Sequence, residues 1–156
     1  MDLILWRHAE AAAGVPDAAR PLTERGRRQA EAMARWLGPR LPQSLRLAVS
    51  PARRAQETAH ALGRSFDTVD AVAPGAGVAA TLAAVGWPDA ERPVLLVGHQ
   101  PTLGEVAARL IDGARDAWQL GTGAVYWLRS KPRRGRSEAD LLVAIAPEIL
   151  ERSGAG

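Results

Sequence analysis

The chain has 156 residues, no cysteine and three histidines, so a disulfide framework, a Cys nucleophile, a Cys-type zinc site and an iron–sulfur cluster are excluded. Its length fits one compact domain, residues 1–156, and its 47% hydrophobic and 24% charged residues are those of a globular protein. Net charge is only +3, and because 19 of its 20 basic residues are Arg, the high isoelectric point is weak evidence for nucleic acid.

Leu3-Ile4-Leu5-Trp6 is too short an apolar run for a helix and predicts a buried strand. Pro21-Leu22-Thr23 opens a helix, with Thr23 as N-cap and Ala30, Met33, Ala34 and Leu37 on one face; Gly38-Pro39 ends it. Leu45 to Val49 is a second strand. Ser50-Pro51 follows directly, and Ser at an N-cap with Pro at the first helical position predicts a helix from there to about Gly63. Asp67 to Val72 reads as a short edge strand, Pro74 to Gly77 as a loop and Val78 to Val85 as a helix. Pro93 to Val97 is a third buried strand. Gly98 to Thr102 turns into a helix with Leu103, Val106, Ala107, Leu110 and Ile111 as its stripe. Ala124–Leu128 and Asp140–Ile145 are two final strands, and Ser130–Ser137 between them a solvated hairpin loop. No apolar stretch approaches the 18 residues of a membrane span, and the N-terminus lacks the pattern of a signal peptide, so the expectation is a cytoplasmic protein without a membrane partner. Strands alternating with helices predict a three-layer α/β/α sandwich with a mostly parallel central sheet.

Ligands of open α/β sheets bind outside the carboxyl ends of the strands. Here one strand runs into Arg7-His8, the next into Ser50-Pro51-Ala52-Arg53-Arg54, the third into Gly98-His99. Parallel strands would gather two His and at least two Arg at one edge. Arg presents a rigid fork of donors that fits phosphate, and helix N-termini add free N–H groups. One His is suited to be a nucleophile and the other a donor to a phosphoryl oxygen. There is no P-loop, no Gly-x-Gly-x-x-Gly and no metal-ligand spacing, so phosphate handling without metal or cofactor is expected.

Leu5-Trp6-Arg7-His8-Ala9-Glu10, Pro21-Leu22-Thr23-x-x-Gly26, Ser50-Pro51-x-x-Arg54-Ala55-x-x-Thr58 and Val97-Gly98-His99-Gln100-Pro101, in that order, resemble the histidine phosphatase superfamily with its phosphoglycerate-mutase-like fold. The similarity spans residues 3 to about 128. The short length, Arg-His-Ala in place of Arg-His-Gly, and Arg20-Pro21-Leu22-Thr23 resemble the SixA-type phosphohistidine phosphatases. The resemblance implies His8 as the phosphorylated nucleophile, Arg7 and Arg54 as phosphate-binding arginines, and His99 as the second His on the phosphoryl group. Arg20 falls at the entrance. Larger relatives carry a carboxylate acid in the region that here reads Val72 to Gly77, which has none; Glu10 and Asp70 are the nearby carboxylates. An imidazole leaves more easily than an alkoxide, so the missing acid favours a P–N substrate.

The expected function is therefore a metal-independent phosphatase acting on phosphohistidine in a protein partner, as a monomer with a shallow, open site. The alternatives are a phosphatase of small phosphomonoesters such as sugar phosphates or nucleotides, and a non-catalytic phosphate-binding module on the same fold. His60, Arg27, Arg28 and Arg53 read as helix-surface positions. Arg133 to Arg136 reads as a solvated run, and the five scattered Trp as packing rather than a stacking platform, so no nucleic-acid partner is expected. Thr122-Gly123 is either a plain turn or an approach to the site.

Overall fold

The computed structural model describes residues 1–134 and 137–153. Strands β1 (Asp2–Arg7), β2 (Arg46–Val49), β3 (Asp67–Thr68), β4 (Val94–Gly98), β5 (Val125–Arg134) and β6 (Ser137–Ile145) form one sheet in the order β3-β2-β4-β1-β5-β6. The pairs β1–β4, β2–β4 and β2–β3 are parallel; β1–β5 and β5–β6 are antiparallel. Only β5 among these strands runs against the rest. The helices are α1 (Glu24–Leu37), α2 (Arg53–His60), α3 (Val78–Val85), α4 (Thr102–Asp112) and α5 (Pro147–Ser153).

The alternation of side chains along β1 separates two cores. Leu3 and Leu5 point to one face, alongside Val94 and Leu96 of β4, and pack on Leu82, Val85, Leu103, Val106 and Leu110 of α3 and α4. Ile4 and Trp6 point to the other, with Leu47, Val49, Leu95 and Val97, against Met33 and Leu37 of α1 and Ala55 and Ala59 of α2. The three layers and the mostly parallel sheet match the architecture expected from the sequence. Each fully buried leucine is worth about 1.5–3 kcal/mol, so a strand such as β4, buried at every position, fixes the sheet between its two helical layers.

Several boundaries differ from the sequence reading. The helix expected from Ser50-Pro51 begins at Arg53, because Ser50 does not cap it: its Oγ accepts from the Ala52 N–H (3.2 Å) and faces His99 instead. The edge strand expected over Asp67–Val72 is only Asp67–Thr68, and Asp70–Val72 is a 3₁₀ turn. Strands β5 and β6 extend into the expected Ser130–Ser137 loop as a paired ladder; of the arginine run, residues 135–136 lie outside the described residues. Helix α5, a short segment that opens at Pro147, has no counterpart in the sequence reading.

Thr23 does cap α1, its Oγ accepting from the Gly26 N–H at 2.9 Å. Gly26 is required for a different reason: a Cβ there would collide with the Glu10 carbonyl oxygen, so the first turn of α1 lies directly on the segment that follows His8. Gly38, at the other end of α1, has right-handed helical angles and open space around it. Gly26→Ala is expected to destabilise the protein by at least about 2 kcal/mol, in the overpacking range, while Gly38→Ala is neutral or stabilising by up to about 1 kcal/mol; urea midpoints of the two variants check this pair.

Candidate active site

The three parallel strands β1, β2 and β4 end at the same edge. The His8 N–H donates to the Gly98 carbonyl (3.1 Å) and the Ser50 N–H to the Val97 carbonyl (3.1 Å), so the ladder itself sets Arg7-His8, Ser50 and Gly98-His99 side by side. The His8 and His99 rings stand 5.1 Å apart between centroids, tilted by 51°. Both are buried, as are Ser50 and Arg54.

His8 Nδ1 lies 2.8 Å from the Ala9 carbonyl oxygen. A carbonyl can only accept, so Nδ1 carries the proton and Nε2 keeps its lone pair. His99 is held through its other nitrogen: Nε2 lies 2.7 Å from Ser50 Oγ. Ser50 Oγ accepts from the Ala52 N–H and keeps one hydroxyl hydrogen; we assign that hydrogen to the bond with His99 Nε2, the tautomer in which the His99 proton sits on Nδ1 and can be donated to an anion. Burial pushes the His8 imidazole down to about 4, against the Ala9 bond and with help from Arg54, Arg7 and Arg20. Burial likewise pushes His99 down to about 3, with His8 and Arg54 adding to it. Both rings are neutral at physiological pH.

Arg7 and Arg54 are held by their outer ends. Arg7 Nη1 donates to the Leu120 carbonyl (2.8 Å). Arg54 Nη1 donates to the Asp17 carbonyl (3.0 Å) and Nη2 to Asp17 Oδ2 (3.1 Å). Among the described residues, the buried side-chain polar atoms without a partner are Arg7 Nε, Arg54 Nε and His99 Nδ1. Buried polar groups are nearly always satisfied, and an orphan asks for an explanation. Arg7 Nε and Arg54 Nε are cationic donors, and His99 Nδ1 is a third donor in the assigned tautomer, around a neutral imidazole with a free lone pair. An oxyanion answers all of them.

Surrounding residues hold the backbone in place. Thr58 Oγ accepts from the Ala9 N–H (3.0 Å) and donates to the Arg54 carbonyl (2.7 Å), tying the segment after β1 to α2. Gln29 Oε1 accepts from the Glu10 N–H (2.9 Å). Gln100 Oε1 accepts from the Gly104 N–H (2.7 Å) and its Nε2 donates to the Trp118 carbonyl (2.9 Å), so it fixes the turn from His99 into α4. Gly123, at φ 74°, donates its N–H to the Arg7 and His8 carbonyls and accepts from Trp6 Nε1; Thr122-Gly123 thus approaches the site from the β5 side.

Arg54 faces the site, while Arg53 is exposed and pairs with Glu57 (3.0 Å). Arg20 is held at the rim, its Nε donating to the Ala12 carbonyl (2.8 Å) and Nη1 to Asp17 Oδ1 (2.9 Å). Of the two carboxylates near the motifs, Glu10 is engaged elsewhere. Glu10 accepts from Thr23 Oγ (2.9 Å) and pairs with Arg25 (3.0 Å); Asp70 lies in its 3₁₀ turn rather than in a strand. His60 is exposed, its ring edge-on to Phe66. Two participants escape sequence reasoning. Ser50 is legible only as a helix cap, and Asp17 lies three residues before Arg20 with no pattern to mark it. Among the described residues no group of three or more His, Asp or Glu is placed to hold a metal ion, and no helix is long and apolar enough to cross a membrane.

Fold and edge together define an α/β protein with a cationic cradle of unpartnered donors around a pair of neutral histidines. The sequence profile of the histidine phosphatase superfamily, branch 1, matches residues 3–74. Among solved structures, the chain is similar to SixA of Nakamurella multipartitia (30% identity, 94% of this chain and 95% of that one, TM-score 0.80). It is similar to the protein histidine phosphatase SixA complexed with tungstate (26%, 96% and 99%, TM-score 0.78). SixA of Agrobacterium tumefaciens gives 25% identity over 94% and 97% of the two chains, with a TM-score of 0.76. No curated protein matches by sequence. The chain belongs to the histidine phosphatase superfamily, in the company of SixA-like structures.

Because both rings are held well below the ordinary histidine value near 6.5, the neutral state persists into acid. Their native values lie below the unfolded ones, so the unfolded chain binds more protons and stability is lost as pH falls from about 6.5 toward 4. The free-enzyme limb of kcat/KM, corrected for substrate ionisation, should fall only below about pH 5; an acid limb near 6.5 would show an ordinary, solvated His8.

Proposed function

We propose that the protein is a phosphatase in which His8 Nε2 takes the phosphoryl group, and that its substrate is phosphohistidine in a protein. The observation that carries the reading is the set of unpartnered buried donors, Arg7 Nε, Arg54 Nε and His99 Nδ1, beside an imidazole whose Nδ1–H donates to the Ala9 carbonyl and whose Nε2 keeps its lone pair. In the first step the His8 Nε2 lone pair forms the N–P bond as the bond from phosphorus to the leaving atom breaks, and that atom keeps the electron pair. His8 becomes cationic, with Nδ1–H still donating to the Ala9 carbonyl. In the second step water forms the P–O bond, His8 departs as a neutral ring, and both water protons stay on the phosphate released as its monoanion. Arg7, Arg54 and His99 stabilise the three equatorial oxygens throughout.

The P–N preference rests on the carboxylates. Glu10 is bound by Thr23 and Arg25, Asp70 lies on a separate turn, and residues 72–77 carry no acid. A positioned acid is worth about 10²–10⁴-fold; an alkoxide needs it, and an imidazole needs it far less. The similar SixA protein histidine phosphatase is complexed with tungstate, an oxyanion, and an oxyanion is what the unpartnered donors here call for.

The test is a quench-flow experiment with a ³²P-phosphohistidine peptide. Label should appear on His8 of the wild type, and His8→Ala should abolish turnover with its circular dichroism unchanged. Activity above a few per cent in that variant would remove His8 from the role. Removing Arg54, whose charge-assisted hydrogen bond is worth about 1.5–3 kcal/mol, should lower kcat/KM by roughly tenfold to over a hundredfold. Arg53→Ala, at an exposed position, should stay within about threefold; the reverse ranking would mean that the other arginine faces the phosphate.

A further inference from the structure

Arg54 has two hydrogen-bonding edges. Asp17 covers the outer one, with its carbonyl on Nη1 (3.0 Å) and its carboxylate on Nη2 (3.1 Å), and leaves the edge that carries Nε open. An anion on the open edge and the Asp17 carboxylate would therefore share one guanidinium and lie next to each other. The second carboxylate oxygen of Asp17 is held by Arg20 at 2.9 Å. Both arginines hold the Asp17 carboxyl below the usual carboxylate range, Arg20 foremost, so it is ionised when the site is at rest. Its side chain is nevertheless 59% exposed.

The direction of the reaction places the leaving group. In-line displacement puts it on the far side of phosphorus from His8 Nε2. His8 is 8% exposed, so a leaving group displaced away from it moves toward solvent, and Asp17, 59% exposed and bound to Arg54, is a carboxylate open to that solvent. An ionised carboxylate there cannot protonate an alkoxide. It suits a leaving group that carries positive charge or an N–H.

Building on the phosphatase reading above, we infer that Asp17 is a specificity-determining residue: its carboxylate accepts a hydrogen bond from the leaving imidazole of phosphohistidine, at the ring nitrogen not bonded to phosphorus. With that nitrogen protonated, the substrate ring is an imidazolium. As the His8 Nε2–P bond forms and the old P–N bond breaks, the electron pair returns to the departing nitrogen and the ring leaves neutral, with its proton still shared with Asp17. The transfer is then nearly symmetric, the Ala9 carbonyl holding Nδ1–H of the incoming ring and Asp17 the corresponding N–H of the outgoing one. The same carboxylate repels the charge that develops on a departing alkoxide or phenoxide.

The test is the ratio of kcat/KM for a phosphohistidine peptide to that for p-nitrophenyl phosphate, measured in wild type and Asp17→Asn. The ratio should fall about tenfold to a hundredfold, the worth of one charge-assisted hydrogen bond. Inorganic phosphate, measured as a competitive inhibitor, should bind no more weakly than to wild type. A ratio that falls less than fivefold, or rises, overturns the inference. Equal losses on both substrates with weaker phosphate binding would make Asp17 a brace for Arg54 only, and a larger loss on the aryl ester would make it a proton donor. A wild type that hydrolyses neither substrate defeats the phosphatase reading itself, whereas an active Asp17→Asn with an unchanged ratio defeats only the role of Asp17.

Discussion

A guanidinium buried at a strand edge must be given negative charge or hydrogen-bond acceptors, because a lone buried ion is among the costliest features a fold can carry. Arg54, 5% exposed, meets that requirement by half. Asp17 takes the outer edge of the group, and the inner edge is left with an unpartnered Nε. Arg7 repeats the pattern with Leu120 as its outer acceptor. The remaining demand is for an oxyanion between them, and the two imidazoles are arranged around the same place. In the proposed reading, an anion bound there completes the hydrogen bonds that Arg7 Nε and Arg54 Nε do not make.

Cation neighbours and burial then work in the same direction on the histidines. They keep His8 and His99 neutral, so that one retains a lone pair and the other a single N–H whose position Ser50 sets. Much of the polar framework serves these few atoms. Thr58, Gln29 and Gly123 hold the backbone on either side of His8, and Gln100 does so after His99. The close approach that excludes a side chain at Gly26 belongs to the same framework, since it lets α1 rest on the carbonyl of Glu10.

What can be read from the chain alone follows from which signals are local. Short apolar runs such as Leu3–Trp6 and Val94–Val97 are visible because strands buried on both faces leave no polar position. The two histidines are legible because each stands just beyond such a run. Ser50 reads wrongly because Ser before Pro is an equally good helix cap, and only the distance to His99 decides between the uses. Glu10 stands out for its nearness in sequence to His8, yet its carboxylate turns to Thr23 and Arg25. Asp17 has no local signal at all, since its meaning comes from Arg54, 37 residues later. The ladder between β5 and β6 extends past the sequence signal because its register shifts across the Lys131-Pro132-Arg133 segment that reads as loop, and pairing resumes at Arg134 and Ser137.

Phosphoryl transfer at this edge depends most on the charge and tautomer of the two buried rings. Long-range ¹H–¹⁵N correlation spectra of imidazole-labelled protein, at a pH near 6 where an unperturbed histidine is mostly protonated, measure both at once. The prediction is that His8 and His99 are both neutral, each with its proton on Nδ1 and an unprotonated Nε2. An imidazolium at His8, or a His8 proton on Nε2, would leave no lone pair for phosphorus and would contradict the account at its centre.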